Sequence, residues 1–178
     1  RAVNRLDRDT SGLVLLAKNP YSSCVLSDAV KDHTIHREYA AIVSGKTDAS
    51  GTIDLPIARK DGSTIERICD PERGETAVTH YRTFAYNKDA DISFIRLLLE
   101  TGRTHQIRVH MKAIGHPLAG DFLYCPDYRF IDRQPLHSTY LSFSHPVTGE
   151  KLEFSASLPE DMRKLFPDIK NPSGPVFF

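Results

Sequence analysis

Residues 76–99 have the sequence TAVTHYRTFAYNKDADISFIRLLL, the clearest strand signal in the chain. Two runs rich in β-branched and aromatic residues, Thr76 to Ala85 and Ile92 to Leu99, flank the polar turn Asn87-Lys88-Asp89. Such runs are typical of β-strands, and a short polar turn between them is typical of a hairpin. The stretch therefore predicts two long, hairpin-linked strands.

The flanking segments predict further strands and three helices. Before residue 76 we predict a buried strand at Gly12–Ala17, a short helix at Tyr21–Lys31 and a second strand at Tyr39–Val43. For the polar residues 46–75 we predict loops and edge strands. After residue 99 we predict a helix at His105–Ile114, closed by Gly115, and then an irregular segment at residues 116–135. We also predict a hairpin formed by Tyr140–Ser144 and Lys151–Ser155, and a final helix that starts at Pro159. Strands outnumber helices, so the predicted fold class is α+β, with a mostly antiparallel mixed sheet and flanking helices.

Length and composition restrict the function. The 178 residues suffice for about one domain, and we assign residues 1–170 to it and 171–178 to a C-terminal tail. The 23 basic and 23 acidic side chains balance, which excludes a general polycation and requires any nucleic-acid contact to come from local clustering. No apolar run approaches the roughly 18 residues of a membrane span. Three widely spaced cysteines argue against a disulfide framework, and we expect a cytoplasmic protein.

The first concentration of unusual residues is Arg5-Leu6-Asp7-Arg8-Asp9-Thr10-Ser11-Gly12. Two carboxylates and two guanidiniums share a turn that leads into a predicted strand, a favoured position for catalytic residues. Neighbouring arginines favour the ionised form of a carboxylate, which can act as a nucleophile, base or electrostatic stabiliser. The alternative is a solvated turn in which Asp9 or Thr10 caps the backbone.

The second concentration is Thr101-Gly102-Arg103-Thr104-His105-Gln106-Ile107-Arg108-Val109-His110-Met111-Lys112. From Thr101 to His116 there are three basic residues, three histidines and no acid. In a helix, the basic face would carry His105, Arg108 and Lys112 outward, toward an anion such as phosphate. The alternative is an ordinary amphipathic helix with a solvated basic side.

Other interpretations are weaker. The spacings of the histidines do not predict a metal site, and no cysteine pair assists them. Asp7-x-Asp9 is similar to the D-x-D-x-T motif of Mg²⁺-dependent phosphatases, but Thr10 comes one residue early and the strand follows the motif. Tyr39 is either a core aromatic or a residue that offers a stacking face and a hydroxyl.

Several separated segments together resemble the RluA-type pseudouridine synthases. The matching segments, in the family's order, are residues 5–12, Arg37-Glu38-Tyr39, residues 101–110, residues 115–121, Leu136-His137-Ser138 and residues 141–150. The resemblance implies the pseudouridine synthase catalytic fold and the conversion of a uridine in structured RNA to pseudouridine. It implies that Asp7 is the catalytic carboxylate, that Arg108 pairs with it and that Tyr39 stacks near the uracil.

The resemblance also implies the partners and the absence of cofactors. The expected partner is ribosomal or transfer RNA, contacted by a positive surface of Arg5, Arg8, Arg103, His105 and Lys112, with Arg5 filling the space left by the flipped base. No metal, nucleotide cofactor or membrane is expected. Asn4 stands where the family usually has His, and the upstream part of the catalytic domain is apparently missing. The alternative is a catalytically silent RNA-binding module of the same fold.

Overall fold

The computed structural model describes residues 1–169 and 175–177, and within them the chain forms nine strands and three helices. The strands are β1 Ser11–Gly12, β2 His36–Ser44, β3 Ser50–Asp54, β4 Ile57–Arg59, β5 Arg67–Cys69, β6 Val78–Asn87, β7 Ile92–Leu99, β8 Leu136–Ser144 and β9 Lys151–Ser155. The helices are α1 Pro20–Lys31, α2 Gln106–Ala113 and α3 Glu160–Leu165. None of these helices is long and apolar enough to cross a membrane.

Seven strands form one sheet in the order β1-β8-β2-β7-β6-β3, and β9 pairs with β8. All pairs in this sheet are antiparallel except β1 with β8, which are parallel. Strands β4 and β5 form a separate two-stranded sheet. The predicted α+β class with a mostly antiparallel mixed sheet is therefore confirmed.

The central strands are buried on both faces, which explains their nearly continuous apolar sequence. Successive side chains of a strand point to opposite faces of the sheet. On one face, side chains of β2 and β7 pack with helix α2 in a core of Tyr39, Ala41, Val43, Ile95, Leu97, Ile107 and Met111. On the other face they pack with helix α3 in a core of Ala40, Ile42, Phe94, Met162 and Phe166.

Most predicted elements are present within a few residues of their predicted bounds. Strand β7 has the predicted bounds, and α1 begins at Pro20, where the Asn19 side chain accepts a hydrogen bond from the Ser22 N–H. Helix α2 lies within the predicted range, and Gly115 follows it with a φ of 86°. Strand β8 begins at Leu136, four residues earlier than predicted.

The predicted buried strand at Gly12–Ala17 is wrong. Only Ser11 and Gly12 form the strand β1, although the Leu13 N–H still donates to the Ser138 carbonyl, and Val14 and Leu16 are 43% and 64% exposed. This segment follows the edge of the sheet, so one side of it faces solvent, and an apolar run alone does not distinguish an edge from the interior. Gly12 is required there because its φ is 108° and an added Cβ would lie 2.2 Å from the Ser138 carbonyl oxygen.

The predicted tail at 171–178 lies mostly outside the described residues. Of its described part, the main-chain N–H groups of Val176 and Phe177 donate to the carboxylate of Glu38. Glu38 also forms a fully buried ion pair with Arg96 at 2.7 Å. The division of the chain at residue 170 stays a prediction.

Candidate active site

Asp7 lies in the loop before β1, and the segment before β8 holds this loop in place. The Gln134 amide donates to the Arg8 carbonyl at 2.5 Å, and Arg133 donates to the Asp9 carbonyl at 3.0 Å. Asn4 accepts the Leu15 N–H at 2.8 Å, which fixes the residues that lead into the loop. These bonds place the Asp7 side chain, which is 20% exposed, at the wall of a cavity.

Arg108 connects Asp7 to a second carboxylate. Its Nη1 lies 3.3 Å from Asp7 Oδ2, and its Nε and Nη2 donate to the two oxygens of Asp121 at 2.6 and 2.8 Å. Asp121 Oδ1 also accepts the N–H groups of Leu123 and Tyr124. The expected ion pair between Asp7 and Arg108 is therefore present, and Asp121 orients Arg108 from behind.

The expectation that Arg108 faces outward on a basic helix face is wrong. Its side chain is only 1% exposed because the loop containing Asp121 covers that face of α2. Burial alone would lower the pKa of Arg108, but the hydrogen bonds and charge of Asp121, with those of Asp7, raise it above its ordinary value. Arg108 therefore remains a cation in the interior.

The cavity beside Asp7 is open to solvent and has a volume of about 70 Å³. It brings together six of the eight predicted site residues: Arg5, Asp7, Tyr39, Arg103, His105 and Arg108. Arg8 does not line it, since its guanidinium lies over the Phe122 ring and pairs with Asp9. Lys112 does not line it either and lies 5.4 Å from the Tyr124 ring, beside a neighbouring cavity.

Tyr39 lies where β2 changes register against β8, between Glu38 and Tyr39. Such bulges re-aim side chains next to functional sites. Burial raises the pKa of Tyr39, and the charge of Arg37 only partly opposes this effect. The phenol is therefore neutral at pH 7, and the Tyr39 side chain lines the cavity.

His105 precedes α2 with a φ of 58°, a left-handed conformation that non-glycine residues rarely adopt. Its Nδ1 lies 2.9 Å from the hydroxyl of Tyr124, and that hydroxyl accepts the Arg67 N–H. The Tyr124 proton is thus available to Nδ1, which leaves the imidazole hydrogen on Nε2. Burial lowers the pKa of His105 below its ordinary value; the charge of Asp7 opposes this effect and the charge of Arg108 adds to it, so the ring is neutral.

Sequence reasoning missed several residues of the site. Arg37 and Gln106 both line the cavity, and Gln106 accepts from Thr101 and Arg103 while it donates to Thr79. Asp121 lies in the matching segment 115–121, and its contacts with Arg108 fix the position of that guanidinium. Arg37 is two residues before Tyr39, and this spacing on one strand was the signal that could have identified it.

Three histidines, of which His110 and His137 are buried and His105 is half-buried, predict a loss of stability in mild acid. Burial lowers the pKa of His105, His110 and His137 below the ordinary value of 6.5. Below pH 6.5 the unfolded chain therefore binds more protons than the folded chain, so stability is full above pH 6.5 and decreases as the pH falls toward the folded pKa values. We expect the free energy of unfolding in urea to be lower at pH 5.5 than at pH 7.5, by at most about 1.4 kcal/mol per histidine per pH unit.

Two controls separate this effect from other titrations. Carboxylates whose pKa is lowered in the folded protein, such as Asp161 and Glu160, reduce its stability only below about pH 4.5, because these groups take up protons in the unfolded chain only in that range. The exposed His33 has a left-handed backbone that asparagine tolerates. The variant His33→Asn should keep the full pH dependence, and an equal stability of the wild type at both pH values would contradict the prediction.

The comparison with known families identifies the family of the chain. Residues 1–113 match the model of the RNA pseudouridylate synthase family. The chain belongs to this family. The resemblance inferred from the separated motifs is thus confirmed. The mixed sheet described above belongs to the fold of this family.

Individual relatives support the same assignment. The chain is 51% identical over 164 residues to the RNA pseudouridine synthase YjbO of Bacillus subtilis, covering 92% of this chain and 57% of the relative. It is 42% identical over 177 residues to the ribosomal large subunit pseudouridine synthase D of Zymomonas mobilis, and this match covers 92% of this chain and 54% of the relative. The solved structure of human RNA pseudouridylate synthase domain containing 1 matches with a TM-score of 0.76 at 27% sequence identity. This match covers 88% of this chain and 68% of the human chain. The chain thus spans about half the length of these curated relatives.

Proposed function

We propose that this chain isomerises uridine to pseudouridine in structured RNA, with Asp7 as the reacting carboxylate. The observation that carries this proposal is the arrangement of Asp7 between solvent and Arg108. The Asp7 carboxylate is accessible from the cavity, while Arg108 is buried behind it and held by Asp121. A carboxylate that has one free side and a fixed cation on the other can act on a substrate.

The isomerisation is balanced within the nucleotide. The bond between C1′ of the ribose and N1 of uracil breaks, the base rotates, and a bond forms between C1′ and C5. The hydrogen on C5 is lost as a proton, and N1 gains one. No electron leaves the nucleotide and no phosphoryl group moves, so we propose that neither a metal nor a nucleotide cofactor takes part.

Asp7 acts on the ribose in this scheme, either by adding to C1′ or by removing a ribose proton. Arg108 stabilises its negative charge at 3.3 Å, and the low dielectric around a buried cation strengthens that attraction. Tyr39, neutral and in the same cavity, provides a face on which the detached uracil stacks. The base must leave the helical stack to reach Asp7, at a cost of a few kcal/mol.

The charge around the cavity supports RNA as the partner. Arg5 and Arg103 line the cavity, and Arg103 also pairs with Glu75. An adjoining groove is lined by three more arginines besides Arg103, namely Arg59, Arg67 and Arg73. A local cluster of guanidiniums in a chain of zero net charge is typical of phosphate binding.

Arg8 and Lys112 remain proposed RNA contacts at a greater distance from the cavity. We propose ribosomal RNA as the substrate rather than transfer RNA, because several relatives are named ribosomal large subunit pseudouridine synthases. Such a substrate would place the reaction in the cytoplasm.

The test uses RNA that carries tritium at C5 of uridine. We expect the chain to release tritium into water from large-subunit ribosomal RNA transcripts, because the C5 proton is lost when the new bond forms. The position is then mapped by sequencing for pseudouridine. Binding of the transcript with no tritium release would instead support the catalytically silent RNA-binding module. Phosphoester hydrolysis that a chelator abolishes would favour the Mg²⁺-dependent phosphatase.

A further inference from the structure

Arg37 is a buried cation for which the described residues provide no anion. Its residue is 8% exposed and lines the same cavity as Asp7 and Tyr39. Among the described residues its side chain has no salt bridge or hydrogen bond, and its Nε is fully buried with no partner. An unpaired guanidinium in this position is energetically unfavourable in the free protein.

Among the described residues, the other buried arginines and Arg103 at the cavity wall contrast with Arg37, whereas Arg5 at the cavity wall is unpaired but exposed to solvent. Arg108 is paired with two carboxylates, Arg96 with Glu38 and Arg103 with Glu75. The described part of the chain therefore provides a counter-ion for each of these three cations and none for Arg37. A buried charge that the fold leaves unpaired indicates that a ligand supplies the missing charge.

The surroundings of Arg37 fix its guanidinium at the cavity wall. The backbone of Gly102 lies against it, and a Cβ added at Gly102 would be 3.3 Å from both terminal nitrogens. These terminal nitrogens are not among the fully buried unpartnered atoms, unlike Nε. The guanidinium therefore has one edge enclosed by protein and its terminal nitrogens available to the cavity.

We propose that Arg37 binds a phosphate of the flipped nucleotide. The inference rests on the proposed function, and it names the contact that holds the backbone of the target uridine beside Asp7. Phosphates are the anionic groups of RNA, and the fork of an arginine matches two phosphate oxygens. A uracil carbonyl carries no net charge and would leave the cation uncompensated.

The first test measures RNA binding against salt concentration. Each phosphate contact contributes about 0.7 to 0.9 to the slope of log affinity against log salt. We expect Arg37→Gln to lower that slope by about one and to weaken binding of a large-subunit ribosomal RNA transcript about tenfold. Arg37→Lys should keep the slope because it keeps the charge. Arg163→Gln removes the same charge from an exposed residue of α3, which packs on the opposite face of the sheet. This control variant should change neither the slope nor the affinity.

The second test uses inorganic phosphate alone. Phosphate should raise the unfolding temperature of the wild type more than that of Arg37→Gln. Without phosphate, Arg37→Gln should unfold at the same temperature as the wild type or higher, because an unpaired buried charge has been removed. A purely structural role would instead lower the unfolding temperature and leave the salt slope unchanged, and that result would overturn the proposal.

A second variant keeps the test decisive if Arg37→Gln fails to fold. In Gly102→Ala the new methyl group meets the far end of the Arg37 side chain, so the guanidinium moves while the charge is kept. We expect a weaker response to phosphate in this variant, and an unchanged response would overturn the proposal. These measurements concern binding, so they remain separate from tritium release: wild-type binding with a normal slope and no release would contradict the proposed function alone.

Discussion

Replacement of Asp7 by asparagine is expected to reduce tritium release from C5-labelled RNA by about 10⁴-fold or more, because an amide is neither a nucleophile nor a base at neutral pH. Asparagine has the same shape, so the contact between Oδ and Arg108 Nη1 at 3.3 Å can persist and the fold is preserved. The rate is measured in single turnovers with enzyme in excess. RNA affinity should change little, since the positive surface remains.

Asp9 provides the matched control for this prediction. It is a carboxylate in the same loop, but it pairs with exposed Arg8 and does not line the cavity. Its φ of 69° is a conformation that asparagine adopts readily, so Asp9→Asn introduces no backbone strain. Near wild-type release from Asp9→Asn would locate the chemistry at Asp7. Equal losses in both variants would indicate that the loop, and not one carboxylate, is required.

Hydrophobic pattern and motif spacing predicted much of this protein because they depend on local order in the chain. The apolar run at Ile92–Leu99 forms β7 with its predicted bounds, since a strand buried on both faces requires such a run. The separated motifs predicted that Asp7, Tyr39 and Arg108 would share a cavity, and the fold brings them to one. Their roles in catalysis stay predictions.

The features that sequence reasoning missed depend on contacts between distant segments. A helical projection placed Arg108 on an outward face, but it could not show that Asp121 returns to cover that face. The apolar run after Gly12 looked like a core strand, although its position at the sheet edge exposes Leu16. Sequence reasoning assigned Arg37 no role beyond its place in the matching segment Arg37-Glu38-Tyr39. Its significance depends on the lack of a described counter-ion, which only three-dimensional structure reveals.

The Asp7–Arg108–Asp121 arrangement predicts a second large effect, in this case on stability. Asp121→Asn is expected to lower the free energy of unfolding in urea by about 3–5 kcal/mol, because the buried Arg108 loses its bidentate anion. An asparagine amide can also place an N–H against Arg108 Nε, where Asp121 Oδ2 now accepts at 2.6 Å. Since domains are stable by about 5–15 kcal/mol, the loss is readily measured by circular dichroism.

A double variant separates the structural role of Asp121 from the chemistry at Asp7. In Asp121→Asn with Arg108→Met the buried cation is gone, so most of the lost stability should return, to within about 2 kcal/mol of the wild type. Tritium release should not return, because Asp7 then lacks the cation that stabilises its negative charge. Recovery of both stability and activity would show that Arg108 is dispensable for the reaction. A single variant as stable as the wild type would show that Asp121 does not hold Arg108 in place.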